Sequence, residues 1–341
     1  MSAQAAVALA HVPPSWPALV EADPSASPSH RAAVWEALAA TLPGFEWRLL
    51  AHEEHGQLVG GAPVVISRRG PLCWLHALPW LLPAAPLARP GAHARVDAAL
   101  ADAFATLARE QRVLGGEWSW YRPDGPEPDA AALARVPGST RHVEAALLRL
   151  SGGPERLRAA MHRKQRQALE HARAQGLVFA EEPAALDEAY ALHLSQSRHW
   201  PGHRALPLEL SRRLLQVPPA GGPMARLFTL RSTHGLVSAT LALDGPHETF
   251  AWWSGTHPRG RRQQAFALLL WSAAEWAAAH GRRRFNLGAS TGLGAVAAFK
   301  QSLGGENFTY PVRVLDARHA SWPGRTFMAL QRLRRRRGTG A

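Results

Sequence analysis

Lys164 and Lys300 are the only lysines in this 341-residue chain, and arginine supplies the rest of its permanent side-chain positive charge. A lysine ammonium is a compact point charge on a flexible stem, which the planar guanidinium of arginine cannot replace at a close contact. Such a group can hold a phosphate or stabilise an oxyanion as it develops. The two lysines are therefore the first candidates for chemistry.

Lys300 follows Phe299 on a helix that is predicted to begin near Gly292. The preceding stretch, from about residue 251, is rich in glycine, aromatic and basic residues. We expect Lys300 to hold a donor phosphate or an oxyanion, and the alternative is a lysine that only neutralises its own helix end. The other candidate catalytic residues are Asn286 and Ser290, and the candidate substrate-binding residues here are Trp252, Ser254, Arg259 and Phe299.

Lys164 lies on a predicted helix from Pro154 to Gln175 that has proline in its first turn. It follows Leu157 by seven residues and Met161 by three, so helical spacing predicts that it points inward or along a cleft wall. There it could meet a phosphate of the acceptor, or only snorkel from the edge of the core. Lys164 and its neighbour Arg163 are candidate substrate-binding residues.

The composition predicts a packed protein with an anionic partner. Hydrophobic residues make up 46% of the chain and charged residues 19%, whereas a largely disordered chain has less apolar and more charged sequence. The formal net charge of +13 favours RNA, a nucleotide phosphate or an anionic lipid surface as the partner. A general excess of arginine would give the same net charge without any anion-binding site.

The cysteine content and the apolar stretches indicate where the protein works. Cys73 is the only cysteine, so neither an intramolecular disulfide nor a cysteine-based zinc cage can form. Neither an export signal nor a membrane-spanning stretch stands out. We therefore expect a cytoplasmic protein whose site needs no metal.

Two parts of the sequence predict the same order of elements: a β-hairpin, a third strand, a helix and a closing strand. In the first part these are Phe45–His52, Gln57–Ser67, Leu72–Trp80, Ala94–Gln111 and Glu117–Tyr121. In the second they are Ala225–Arg231, Leu236–Leu243, Glu248–Ser254, Gln263–His280 and Arg284–Leu287. The repeat predicts a duplicated fold of class α/β or α+β, with domains at 1–150 and 151–341, each a mixed sheet with helical cover.

Several short motifs occur in a fixed order in the second part. They are Trp252-Trp253-Ser254-Gly255, His257-Pro258-Arg259-Gly260, His280-Gly281, Phe285-Asn286-Leu287-Gly288, Gly292-Leu293, Phe299-Lys300 and Leu303-Gly304-Gly305. In this order they resemble the C-terminal half of the FemAB-like transferases. The segment from Met161 to Ala168 is similar to the basic helix that opens the second half of proteins in that family.

The resemblance implies two tandem GNAT-like domains and an enzyme without a bound cofactor. Proteins of the family transfer an acyl or aminoacyl group to an amine, the best known from aminoacyl-tRNA to a peptidoglycan precursor. The implied partners are an anionic donor, either tRNA or CoA, and an amine acceptor. Peripheral contact with a membrane-linked precursor is also implied.

Two other functions stay open. Acyl-CoA is the alternative donor, since Arg259 and Gly260 stand where CoA-dependent GNAT proteins carry a phosphate-binding turn. Gln264 occupies the place of a second small residue in that turn, which argues against CoA. The alternative of another class is a non-catalytic protein that binds RNA or a membrane surface through its basic faces and the tail Arg332 to Arg337.

Overall fold

The computed structural model describes residues 5–79, 82–198, 200, 205–216, 224–290 and 293–315. The elements of the N-terminal part are β1 (Val7–Leu9), α1 (Trp16–Ala22), α2 (Ala32–Thr41), β2 (Phe45–Glu54), β3 (Gln57–Arg69), β4 (Leu72–His76), β5 (Leu87–Ala88), α3 (His93–Glu110), β6 (Gly115–Ser119), α4 (Ala130–Arg135) and β7 (Ser139–Arg149). Short 3₁₀ turns form at Pro28–His30 and Pro183–Ala185.

The elements that follow begin after β7. They are α5 (Gly153–Ala160), α6 (Arg163–Ala174), β8 (Val178–Glu181), α7 (Leu186–Ser197), α8 (Leu208–Gln216), β9 (Ala225–Ser232), β10 (Gly235–Asp244), β11 (Glu248–Thr256), α9 (Pro258–Arg262), α10 (Ala265–Ala279), β12 (Arg284–Ala289), α11 (Gly294–Ser302) and β13 (Glu306–Leu315).

The chain forms two compact units that exchange segments. As far as it is described, unit 1 contains residues 5–26, 38–143 and 310–315, and unit 2 contains residues 27–37 and 144–309. Contiguous halves of 1–150 and 151–341 do not coincide with these units. The reason is that the end of β13 pairs with β6 in unit 1, whereas the end of β7 pairs with β12 in unit 2.

Unit 1 is a mixed sheet covered by α3. Its strand order is β1-β2-β3-β4-β6-β13, with β4 and β6 parallel and the other neighbours antiparallel. α3 is amphipathic: Val96, Leu100, Phe104 and Leu107 recur at helical spacing and are all buried. The Phe104 ring packs on Trp118 of β6, with the centroids 4.7 Å apart, so the helix is fixed on the sheet.

Unit 2 repeats this arrangement around α10. Its strand order is β7-β12-β11-β10-β9-β8, and only β11 and β12 are parallel. α10 is apolar on nearly all sides and contributes nine buried residues, as expected for a helix that crosses a sheet within the core. Its core partners include Phe228, Leu148 and Phe285 on the strands.

The predicted duplication is confirmed at the level of fold. Each unit contains a hairpin, a third strand, a helix and a strand parallel to the third, in that order. The hairpins turn where predicted, with a left-handed backbone at His55, Gly56 and Gly235. The mixed α/β class is therefore confirmed as well.

The single helix predicted from Pro154 to Gln175 is wrong, because the chain breaks into α5 and α6. Met161 is extended at the break, and its side chain enters the core. The next residue, His162, donates its backbone N–H to Ser302 O at 3.0 Å. Gly304 also packs against the break, since an added Cβ would lie 3.3 Å from Met161 N. Contacts from α11 and its end thus replace the helical hydrogen bonds at this point.

Candidate functional site

The candidate site lies where β11 and β12 separate. The two parallel strands pair only between Glu248–Phe250 and Arg284–Asn286, although β11 continues to Thr256 and β12 to Ala289. Beyond Phe250 and Asn286 the strands no longer pair, and we call the place where they part the β11–β12 wedge. In parallel sheets of α/β proteins, ligands bind at the carboxyl ends of strands that diverge.

A buried polar network closes the narrow end of the wedge. The guanidinium of Arg284 donates to Glu248 at 2.6 Å, and both side chains are 0% exposed. Asn286 donates its amide Nδ2 to Glu248 at 3.0 Å and accepts the backbone N–H of Gly288 at 2.7 Å. The geometry therefore gives Asn286 a positioning role at the point of separation, and a direct catalytic role for it stays a prediction.

Lys300 approaches the open end of β12 from α11. Its side chain is 8% exposed, and its Nζ donates to the backbone carbonyls of Gly288 at 2.8 Å and Ala289 at 2.9 Å. Since an ammonium carries three donors, one N–H remains for a ligand. Burial lowers the pKa of the Lys300 ammonium from 10.5 to about 8. The group is therefore still mainly charged at neutral pH, but in a poorly hydrated place.

Because the pKa of Lys300 is lowered in the folded protein, the free energy of unfolding should depend on pH. Between pH 8 and 10.5 the unfolded chain binds more protons at Lys300 than the folded one, so folding becomes relatively more favourable as the pH rises. We expect the free energy of unfolding of the wild type, relative to Lys300→Met, to rise by about 3 kcal/mol across this window. Urea unfolding of both proteins at pH 7.5 and 10.5 measures it, and a constant difference would contradict the burial of the charge.

Strand β11 forms the other side of the wedge and is irregular there. The pairing register with β10 shifts between Leu241 and Ala242, so Trp252 is the extra residue of a β-bulge. Its side chain is half-buried. The hydroxyl of Ser254 donates to Thr240 Oγ1 at 3.0 Å, and the carbonyl of Ser254 accepts a hydrogen bond from His193 Nδ1 at 2.8 Å. Ser254 is thus held from both β10 and α7.

His193, Gln196 and Thr240 are site neighbours that the sequence did not reveal. His193 is buried on α7, and its ring lies 5.1 Å from that of Trp253. Gln196 Oε1 accepts the backbone N–H of Thr256 at 2.9 Å, at the end of β11. No motif marks His193 or Gln196, because their contacts with β11 join positions about 60 residues apart.

The close approach of α7 to β11 depends on Gly255. A Cβ added there would lie 2.5 Å from the backbone N of His193. We therefore expect Gly255→Ala to destabilise the protein by about 1–3 kcal/mol through overpacking. Gly294→Ala is the matched control, because a Cβ there meets no atom within 4 Å. Thermal unfolding of both variants measures the effect, and equal melting temperatures would contradict this packing.

The remaining predicted residues of the wedge region occupy different environments. Phe299 stacks on Phe266 of α10, with the ring centroids 5.6 Å apart, and so holds α11 against that helix. Ser290 is buried at the end of β12, and its carbonyl accepts the N–H of Leu293 at 2.9 Å. Arg259 is exposed on α9, which follows β11 directly.

The inward orientation predicted for Lys164 is wrong. Because the helix breaks at Met161, the phase of α6 no longer follows from that of α5, and the buried residues of α6 are Leu169 and Ala172. Lys164 and Arg163 are exposed in the first turn of α6. That turn adjoins α11, since Ser302 bonds to the neighbouring Gln165 at 3.3 Å. Substrate binding by the two cations stays a prediction.

Two buried carboxylates of the unit 2 sheet, Glu248 and Asp244, are paired with arginines. Glu248 pairs with Arg284, and Asp244 pairs with Arg282 at 2.9 Å and Arg226 at 3.3 Å. Within the described ranges no cluster of three or more His, Cys, Asp or Glu side chains is arranged to hold a metal ion. The wedge therefore offers an ammonium, backbone groups and hydroxyls as its chemical groups.

Known proteins share both the domain and the fold. Residues 155–301 match the family model of the acetyltransferase (GNAT) domain. The structure of FemX is similar with a TM-score of 0.67 at 12% identity, over 88% of this chain and 96% of FemX. A tandem GNAT protein from the clavulanic acid biosynthesis pathway is similar with a TM-score of 0.50 at 15% identity, over 92% of this chain and 98% of its own.

A third similar structure is the C-terminal domain of a protein described as a lysylphosphatidylglycerol synthetase, from Agrobacterium fabrum. Its TM-score is 0.52 at 13% identity, over 79% of this chain and 84% of that one. None of the curated proteins matches this sequence. None of the helices within the described part of the chain has the length and apolar character needed to span a membrane.

At these identities the solved structures establish the fold, and the family match assigns the segment that contains the wedge. Residues 155–301 include β11, β12 and Lys300. The resemblance drawn from the sequence motifs agrees with both findings: residues 155–301 match the acetyltransferase (GNAT) domain, and the fold is shared with FemX.

Proposed function

We infer that this protein is an N-acyltransferase that uses aminoacyl-tRNA as the donor and an amine of a peptidoglycan-precursor-like molecule as the acceptor. The observation that carries the inference is the buried Lys300 ammonium, held on the carbonyls of Gly288 and Ala289 at the open end of the wedge. The motifs that resemble the FemAB-like transferases support this choice of donor and acceptor, and the fold shared with FemX agrees with that resemblance. The single cysteine favours the cytoplasm as the compartment.

Acyl transfer makes three demands on the site. The acceptor amine must be neutral to attack the carbonyl carbon, the carbonyl oxygen must be stabilised as it becomes anionic, and the donor must be held. The free N–H of Lys300 meets the second demand, because a donor in a poorly hydrated place stabilises developing charge strongly. As the amide bond forms, the ester bond to the tRNA ribose breaks, and the proton lost by the attacking amine ends on the leaving ribose oxygen.

The donor grip is assigned to Arg259, in the first turn of α9. Arg259, Arg261 and Arg262 are exposed and form no ion pair with any residue in the described ranges. We expect Arg259→Ala to raise KM several-fold with little change in kcat, because a phosphate contact is made equally in the ground and transition states. Steady-state kinetics with varied donor measures it. Arg135→Ala, at an exposed position in unit 1, is the control, and an unchanged KM for Arg259→Ala would remove this residue from the donor site.

Acyl-CoA is the second candidate donor, and one observation favours it. Gln264 adopts a left-handed backbone, with φ 57°, directly before α10. That conformation is usual for glycine and turns the chain sharply at the helix N-terminus, where N–H groups can bind phosphate. The matched family is also described as acetyltransferases.

One experiment tests the function and separates the two donors. Purified protein is incubated with charged total tRNA or with acyl-CoA, in each case with peptidoglycan precursors, free amino acids and polyamines, and the product masses are read. An aminoacylated precursor that forms only with tRNA supports the proposal. A product that forms only with acyl-CoA selects the second donor, and the absence of any product with both donors contradicts an acyltransferase.

A further inference from the structure

Exposed apolar side chains collect at one end of the unit 2 sheet, where β11 and β12 stop. Leu293 and Val296, at the start of α11, are 59% and 37% exposed, and Trp200, just beyond α7, is 41% exposed. Leu293 is held just after β12, where its N–H donates to Ser290 O. The end of α7, which precedes Trp200, is held at the end of β11, where Thr256 N–H donates to Gln196. Within the described ranges only three other large apolar side chains are this exposed.

The same end of the sheet carries unneutralised positive charge. α9 follows β11 directly, and its arginines at 259, 261 and 262 have no carboxylate partner among the described residues. Surface arginines elsewhere in unit 2 commonly do have one: Arg173 binds Glu275 at 3.0 Å, and Arg231 binds Glu182 at 2.8 Å. Exposed apolar side chains near arginines that have no carboxylate partner are typical of a surface that binds another molecule.

We propose that this surface, the apolar–basic rim formed by Trp200, Leu293, Val296 and the three α9 arginines, docks on an anionic phospholipid bilayer. The apolar side chains enter the boundary between headgroups and acyl chains, where tryptophan is favoured, and the arginines contact lipid phosphates. A tRNA donor held by Arg259 leaves Arg261 and Arg262 for lipid phosphates, and RNA bound to all three arginines would leave Leu293 and Val296 in water. A bilayer satisfies both.

Docking at the rim would bring the β11–β12 wedge to the membrane surface, because Leu293 follows the strand whose carbonyls hold Lys300. A lipid-linked amine acceptor could then reach the wedge while the protein stays at the interface. The binding itself requires neither donor nor acceptor. Membrane binding therefore goes beyond the proposed function. Acyl transfer to a soluble acceptor and binding to vesicles are separate measurements, and either can fail without the other.

Sedimentation of the full-length protein with phosphatidylcholine vesicles, with and without phosphatidylglycerol, tests the proposal. We expect binding only to the anionic vesicles, with an affinity that falls as salt is added. The double variant Leu293→Ser, Val296→Ser should bind them about tenfold more weakly. Replacement of the three α9 arginines by glutamine should weaken binding about fivefold for each arginine.

Matched controls use exposed residues of unit 1. Val7→Ser removes an exposed apolar side chain, and the triple variant Arg69→Gln, Arg112→Gln, Arg135→Gln removes three exposed arginines. These variants should bind vesicles like the wild type, and all variants should melt at similar temperatures. The proposal is overturned if the protein binds total tRNA but not anionic vesicles. It is equally overturned if the control variants lose as much vesicle binding as the rim variants.

Discussion

Lys300→Arg is expected to lower kcat about 100-fold or more, although it keeps the positive charge. The wild-type Nζ fits between two backbone carbonyls at 2.8 and 2.9 Å in a nearly closed space. A guanidinium is larger and planar, so it cannot make both contacts and still direct one N–H to the same oxygen. Apart from two lysines, every permanently charged basic residue of this chain is arginine, so a lysine at this position indicates that an ammonium is needed there.

Steady-state kinetics with the donor that supports turnover measures this loss. Arg135→Lys is the control, because it makes the reverse exchange at an exposed ion pair in unit 1 and should leave kcat unchanged. Circular dichroism spectra of Lys300→Arg that match the wild type would show that the loss is chemical. Wild-type turnover in Lys300→Arg would remove this lysine from the reaction.

Glu248→Gln is expected to cost about 3–5 kcal/mol of folding free energy. The substitution keeps an acceptor for Asn286 but removes the charge that neutralises Arg284, and both side chains are fully buried. The Arg284 guanidinium would then lose this buried charge partner between β11 and β12. This is the largest stability effect that we expect from a single substitution at the site.

Urea unfolding of Glu248→Gln against the wild type measures the cost. Glu275→Gln is the matched control: its pair with Arg173 is about 40% exposed, so its loss should cost less than about 1 kcal/mol. A loss at Glu248 as small as at Glu275 would contradict a dry, tightly paired network at the narrow end of the wedge.

Local patterns predicted the order of elements well. The two hairpins, the amphipathic helix α3 and the apolar helix α10 follow from alternation, helical spacing and turn residues. The exchange of β7 and β13 between the units does not follow from such patterns, because a strand carries no local signal of its distant partner. The break at Met161 has a similar cause, since it depends on contacts with Ser302 and Gly304.

The candidate site was predicted in part. Composition singled out Lys300, and motif order placed it beside Asn286 and Ser290, near the end of β12 where it lies. The partners of those residues could not be predicted: Asn286 binds Glu248, and Glu248 also pairs with Arg284, across 38 and 36 positions of the sequence. His193 is held to Ser254 across 61 positions, which no spacing rule reveals.

A crystal structure of the protein with a stable amide analogue of the aminoacyl-tRNA 3′ end tests the central claim most directly. We expect the acyl carbonyl to lie in the β11–β12 wedge, with its oxygen within about 3 Å of Lys300 Nζ. The carbonyls of Gly288 and Ala289 should still hold the same ammonium. Density for the acyl group at another place, with Lys300 contacting no part of the analogue, would contradict the claim.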